Sequence, residues 1–98
     1  MKTVKESTLE KRLTRAVKDS NGLCIKLPAF LYRGIPDRLI LLPGARIYFV
    51  ELKAVRGRVS PHQARFIKFL RTLGFPSDII QGEDHLKEFI NVNIKNSV

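Results

Sequence analysis

Asp37, Glu51 and Lys53 are the residues whose types and spacing could do chemistry here. On an extended strand side chains alternate faces, so Glu51 and Lys53 project from one face of the run 46–53 and Leu52 from the other. Ile47, Phe49, Val50 and Leu52 make that run apolar. A carboxylate and an ammonium at its end are costly unless paired or solvated. Asp37, after Pro36, opens a second strand-like run, 37–42. If Pro43-Gly44 turns the two runs into an antiparallel hairpin, Asp37 stands roughly opposite the Glu51–Lys53 end, and two carboxylates and a lysine converge. Convergent carboxylate oxygens suit a hard cation such as Mg2+ or Mn2+. Such an ion would offset charge on a phosphate and lower the pKa of a bound water. Lys53 could hold the attacking water or steady the developing negative charge. Plainer readings stand beside these: a Glu–Lys pair two apart is common on solvated strands, and Pro-Asp is frequent in turns.

The charge distribution favours the chemical reading. The chain has 98 residues and a formal net charge of +9, which points to an anionic partner. Between Asn21 and Phe75 there are ten basic residues and only two acidic ones, Asp37 and Glu51. A surface made for polyanions excludes carboxylates, and a bound divalent cation would give these two a reason to remain. Arg33-Gly34 precedes the first and Arg56-Gly57-Arg58 follows Lys53, so two loops combining close backbone approach with bidentate phosphate contact flank the pair. Arg65 and Lys68 extend the track, and Lys26 is a further candidate, although a snorkelling strand lysine explains it as well. His62 reads as a surface residue near a helix start. Cys24 is the one cysteine, which fits a reducing cytoplasm and a buried strand position. The polar N-terminus carries no signal-peptide pattern, and no apolar run approaches the roughly 20 residues of a membrane helix.

The elements that must position these residues are legible in outline. Ser7-Thr8-Leu9-Glu10 reads as a capping box opening a helix that Asn21-Gly22 ends. A short strand spans 23–27, and a loop runs over 29–35. After the hairpin comes a basic loop, 54–59. Ser60 caps a second helix, with Pro61 at its first position and Gln63 at the capping-box position. Phe66, Phe69, Leu70 and Leu73 are expected on its inner stripe, and Gly74 stops it. A strand over 77–81 and a helical turn or two over 84–90 complete the order α-β-β-β-α-β-α. That order describes a single α/β domain over 1–90, a central mixed sheet flanked by helices, with 91–98 expected to fray.

Gly34-Ile35-Pro36-Asp37, thirteen intervening residues, Glu51-Leu52-Lys53 and then Ser60-Pro61-His62-Gln63 resemble the VRR-Nuc family, part of the PD-(D/E)xK nuclease superfamily. The similarity runs from about Glu6 to Phe89. It implies a restriction-endonuclease-like fold and phosphodiester hydrolysis with Mg2+ or Mn2+ bound by Asp37, Glu51 and the Leu52 carbonyl. It further implies that Lys53 is catalytic and that Gln63 reaches the site from the following helix. Glu10 has a role near the metal in such proteins, against the capping role that its position also allows. Glu6 matches the family's N-terminal pattern, against an exposed acid at the helix entry.

Small standalone proteins of this kind are typically phage or bacterial and form dimers that act on branched DNA. A cytoplasmic homodimer cutting four-way junctions, with no cofactor beyond the metal, is therefore the expectation. Phe30, Leu31 and Tyr32 are the candidate interface residues. The alternatives are a non-catalytic, structure-selective nucleic-acid-binding module and a basic structural protein of a ribonucleoprotein particle.

Overall fold

The computed structural model describes residues 3–95. In chain order it contains α1 (Glu6–Asp19), β1 (Leu23–Lys26), a 3-10 turn at Ala29–Leu31, β2 (Arg38–Leu42), β3 (Arg46–Lys53), α2 (Pro61–Thr72), β4 (Ser77–Gln81) and α3 (Glu83–Phe89). A π-helical turn, Ile90–Ile94, follows directly. The expected α-β-β-β-α-β-α order is present. The strands form one sheet ordered β1-β2-β3-β4, antiparallel at its first two junctions and parallel between β3 and β4. A parallel neighbour needs a crossover, and α2 supplies it. The β2–β3 hairpin reverses through Pro43-Gly44-Ala45, with Gly44 and Ala45 in the left-handed region (φ 81° and 59°). Gly44 adopts that conformation freely, whereas Ala45 does so at a cost of about 1–2 kcal/mol.

The two faces of the sheet are covered unequally. Arg38 pairs with Val50 and Ile40 with Tyr48, so these side chains share one face. Leu9, Leu13 and Val17 of α1 lie on it and are fully buried with Ile40, Val50 and Leu52. Each such side chain contributes roughly 1.5–3 kcal/mol of burial. On the other face α2 contributes Ile67 and Leu70, while Ile25, Leu39, Leu41, Ile47 and Phe49 stay only half-buried.

Three expectations need correction. Helix α1 starts at Glu6, and its N-cap is Lys5 with no side-chain cap, so Ser7 and Glu10 form no capping box. The inner stripe of α2 is turned from the expected one: Phe69 and Leu73 are exposed, at 58% and 56%. Phe66, Phe69, Leu70 and Leu73 do recur at helical spacing, but the sheet lies on the Ile67–Leu70 side of the helix and leaves Phe69 and Leu73 facing outward. Thirdly, the chain does not fray at Asn91: the π-turn carries Ile94 into the core, fully buried. Residues 96–98 of the expected tail lie outside the described residues.

Candidate active site

The sheet brings Asp37 and Glu51 together through direct hydrogen bonds. Asp37 is the residue just before β2, and its N–H donates to Glu51 Oε1 at 3.1 Å. The Leu52 N–H donates in return to Asp37 Oδ2 at 3.0 Å. Each carboxylate is thus held by the backbone of the other's segment. Glu51 is 2% exposed, and two side chains meet on its Oε2. Lys53 Nζ lies 3.1 Å from its Oε2, as the two-residue alternation along β3 requires. Gln63 Nε2 donates to the same oxygen at 2.8 Å.

Gln63 performs both jobs that the sequence offered as alternatives. Its N–H donates to Ser60 Oγ at 3.1 Å and its Oε1 accepts from the Ser60 N–H at 3.3 Å, which closes the capping box of α2. The amide nitrogen of the same side chain remains to reach Glu51. The helix cap therefore fixes the orientation of a site residue.

Electrostatically the pair is under tension. Burial, and then the neighbouring charge of Asp37, push the Glu51 carboxyl above its ordinary value, more than Lys53 brings it down. Burial works to lower the Lys53 pKa, but the hydrogen bond and charge of Glu51, with the charges of Glu6 and Asp37, raise it overall. Two carboxylates this close, one of them desolvated, are a donor set that a hard cation would relieve. Among the described residues no group of three or more His, Cys, Asp or Glu side chains is placed so that it could hold a metal ion. A cation here would therefore have Asp37 and Glu51 as its carboxylate ligands.

Glu10 is not in that cluster. Its Oε2 pairs with Arg38 Nη2 at 3.3 Å, on the α1 face of the sheet. Glu6 stands at the helix entry, as the first residue of α1, and near enough for its charge to act on Lys53. Arg38 was not singled out, yet its position carried a signal: a cation next to Asp37, at an inward-facing position of an apolar strand. It is 8% exposed, and its Nε has no hydrogen-bond partner. Glu10→Gln leaves this guanidinium without its counter-charge, at a cost of about 1–3 kcal/mol. The expected result is a thermal midpoint lowered by several degrees with an unchanged metal requirement, read by a metal titration of the variant. A shifted titration would return Glu10 to the metal.

The basic residues divide between surfaces. Arg65 Nη2 lies 3.2 Å from His62 Nδ1, and the charge of Arg33, a little burial and the charge of Arg65 hold the His62 pKa down. These three residues therefore group beside the first turn of α2, and Lys68 is exposed on the same helix. Arg56 and Arg58 are exposed on the loop after Lys53, which Gln81 pins by donating to Gly57 C=O at 2.6 Å. Lys26 pairs in register with Arg38, so it belongs to the α1 face rather than to the carboxylate side. A concavity of about 590 Å³ on that face, lined by Glu10, Lys11, Thr14, Arg15, Lys18 and Arg38 among others, is separate from the carboxylates. Cys24 is half-buried, and burial raises its thiol pKa.

Residues 3–84 match the family model of the VRR-NUC domain. The chain belongs to the VRR-NUC domain family. A solved VRR-NUC domain superposes with a TM-score of 0.81 at 27% identity, covering 90% of this chain and 96% of the other. Protein p44 of Acyrthosiphon pisum secondary endosymbiont phage 1, named for an inferred nuclease activity, is 34% identical over 84 residues, which is 86% of this chain and 90% of that protein. The VRR-NUC assignment makes this a nuclease domain, and Asp37, Glu51 and Lys53 are a carboxylate–lysine constellation in which one carboxylate is buried. No helix among the described residues is long and apolar enough to cross a membrane.

Proposed function

We propose that this VRR-NUC domain is a Mg2+- or Mn2+-dependent endonuclease that hydrolyses phosphodiester bonds in branched DNA such as four-way junctions, and that it works in the cytoplasm as a homodimer. The reading rests above all on Glu51, a carboxylate 2% exposed and bonded to Lys53 and Gln63 beside Asp37. So costly an arrangement in a chain of net charge +9 has no structural benefit comparable to its desolvation. Asp37 and Glu51, with the Leu52 carbonyl, would hold the ion. When bound, the ion supplies Lewis acidity toward the phosphate and a water of lowered pKa. Gln63 fixes the rotamer of Glu51. Lys53 carries an ammonium at the carboxylates, where it can orient a water or offset charge on the phosphate.

Arg33 and Arg65, grouped at the first turn of α2, and Arg56 and Arg58, on the loop after Lys53, would take the flanking phosphates, with exposed Lys68 further along α2. Neutralising Arg33, Arg56 or Arg58 singly weakens DNA binding irrespective of sequence. Each loss lowers the slope of log affinity against log salt by about one. Unchanged slopes for all three would move the DNA track to another surface.

For the dimer, the half-buried side chains of Ile25, Leu39, Leu41, Ile47 and Phe49 offer a second apolar surface beside the loop residues Phe30, Leu31 and Tyr32. Covering it with a second copy would stabilise a small domain, and two-fold pairing places two centres on one assembly, as a junction's symmetry favours. Cleavage of a panel of duplex, flap, single-stranded and four-way DNA with and without Mg2+ or Mn2+, alongside light scattering, tests the whole reading. Tight binding with no cutting in either metal would instead establish the non-catalytic module.

A further inference from the structure

The loop between β1 and β2 leaves and rejoins the sheet at the carboxylates. The Leu27 N–H donates to Asp37 C=O at 2.7 Å, so both ends of the loop are fixed there. Its middle is fixed to α2. Gly34 has φ 85°, and a Cβ at that position would stand 2.5 Å from the His62 carbonyl oxygen; backbone lies on backbone, and only glycine fits. The Tyr32 ring meets Phe66 edge-on at 5.5 Å between centroids. The turn of α2 that receives the loop is the one whose Gln63 holds Glu51. Short backbone bonds, Leu31 N–H to Pro28 C=O and Ile35 N–H to Tyr32 C=O, both 3.1 Å, order the loop internally.

This well-fixed loop nevertheless presents Phe30 to solvent at 86% exposure, with Leu31 beside it at 53%. Scattered exposed aliphatics need no explanation. A phenylalanine on the tip of a braced loop, anchored at a reaction centre, is different, because its surroundings are cationic. Arg33 lies on the same loop, and Arg65 stands by His62 where the loop touches α2. A partner meeting this surface must offer negative charge and an apolar face together. A nucleic-acid strand does so, since its phosphates pair with guanidiniums while its bases stack on aromatic rings.

We propose that Phe30, backed by Leu31, is a wedge that takes the face of an unstacked base next to the scissile phosphate and so selects branch points. Bases at a junction are already partly unstacked, so inserting an apolar side chain there costs least. The inference rests on the nuclease reading of Asp37 and Glu51, and its test reads binding separately from cutting.

The probe is a four-way junction, with a matched duplex, carrying 2-aminopurine at successive positions around the branch. The base brightens when it leaves the stack. Binding is read without divalent metal and cutting with Mn2+. The wild-type chain should brighten one or two branch positions. Phe30→Ala should lose that signal and reduce junction binding and cutting about ten-fold, the scale of one base–aromatic stack, with duplex cutting unchanged. Phe30→Trp should restore both. Equal brightening and equal junction preference in Phe30→Ala would overturn the wedge. So would a Phe30→Ala protein that becomes monomeric by light scattering, which would make the tip a subunit contact. Brightening that depends on Phe30 in a wild-type chain that never cuts would uphold the wedge and sink the nuclease reading. Cutting without brightening at any position would do the reverse.

Discussion

Asp37→Asn should lower cleavage on the order of a thousand-fold or more while the fold survives. The reasoning turns on what each Asp37 oxygen does. Oδ2 accepts the Leu52 N–H, and Leu52 is fully buried. An asparagine carbonyl can keep that bond, so the strand junction stays satisfied while one negative charge is removed from beside Glu51. Asp37→Ala removes the acceptor as well and leaves a buried N–H unpaired, at about 1–3 kcal/mol. At about 4–8 °C per kcal/mol for a domain of this size, its midpoint should fall visibly where that of Asp37→Asn does not. Comparing the two variants by thermal melts and by initial cleavage rates separates chemistry from architecture. Asp37→Asn cutting branched DNA at the wild-type rate would remove Asp37 from the mechanism. Lys53→Met should show a comparable loss of rate, because it strips the ammonium 3.1 Å from Glu51.

Much of this site is legible in the sequence alone. The alternation along β3 placed Glu51 and Lys53 on one face, and the Pro43-Gly44 turn set Asp37 opposite them, because both are backbone rules with a period of two. The capping box of α2 was readable for the same reason: Ser60, Pro61 and Gln63 act on neighbouring backbone groups. The readings that failed depended on distant partners. Ser7 and Glu10 have capping-box spacing, but α1 starts at Glu6, and Glu10 faces a buried guanidinium from β2 that no local rule would supply. Phe69 shares a helical stripe with Phe66, Leu70 and Leu73, yet the position of the sheet decides which side of α2 is inward. That Gln63 both caps and reaches Glu51 was not separable in sequence, since it needs α2 seated against the end of β3.

Adding Mn2+ or Mg2+ should raise the thermal midpoint, and the increment should shrink as the pH falls. The Glu51 carboxyl is held above the ordinary 4.5 by burial first and by Asp37 second. The folded chain therefore binds that proton more tightly than the unfolded chain. The metal-free protein accordingly loses stability as pH climbs from near 4.5 through the raised folded value. A cation needs the deprotonated carboxylate, so it competes with the proton below that window and offsets the Asp37–Glu51 repulsion above it. At about 100 times its dissociation constant a ligand specific for the folded state contributes about 2.7 kcal/mol. For a domain of this size that is a rise of about 10 °C or more. Melts across a pH series with and without each ion read the effect with no DNA present, independently of activity. Asp37→Asn should lose most of the increment, because one of two carboxylate ligands is gone. A midpoint unmoved by both ions at neutral pH, or an increment that is the same on both sides of the Glu51 window, would mean that Asp37 and Glu51 hold no metal.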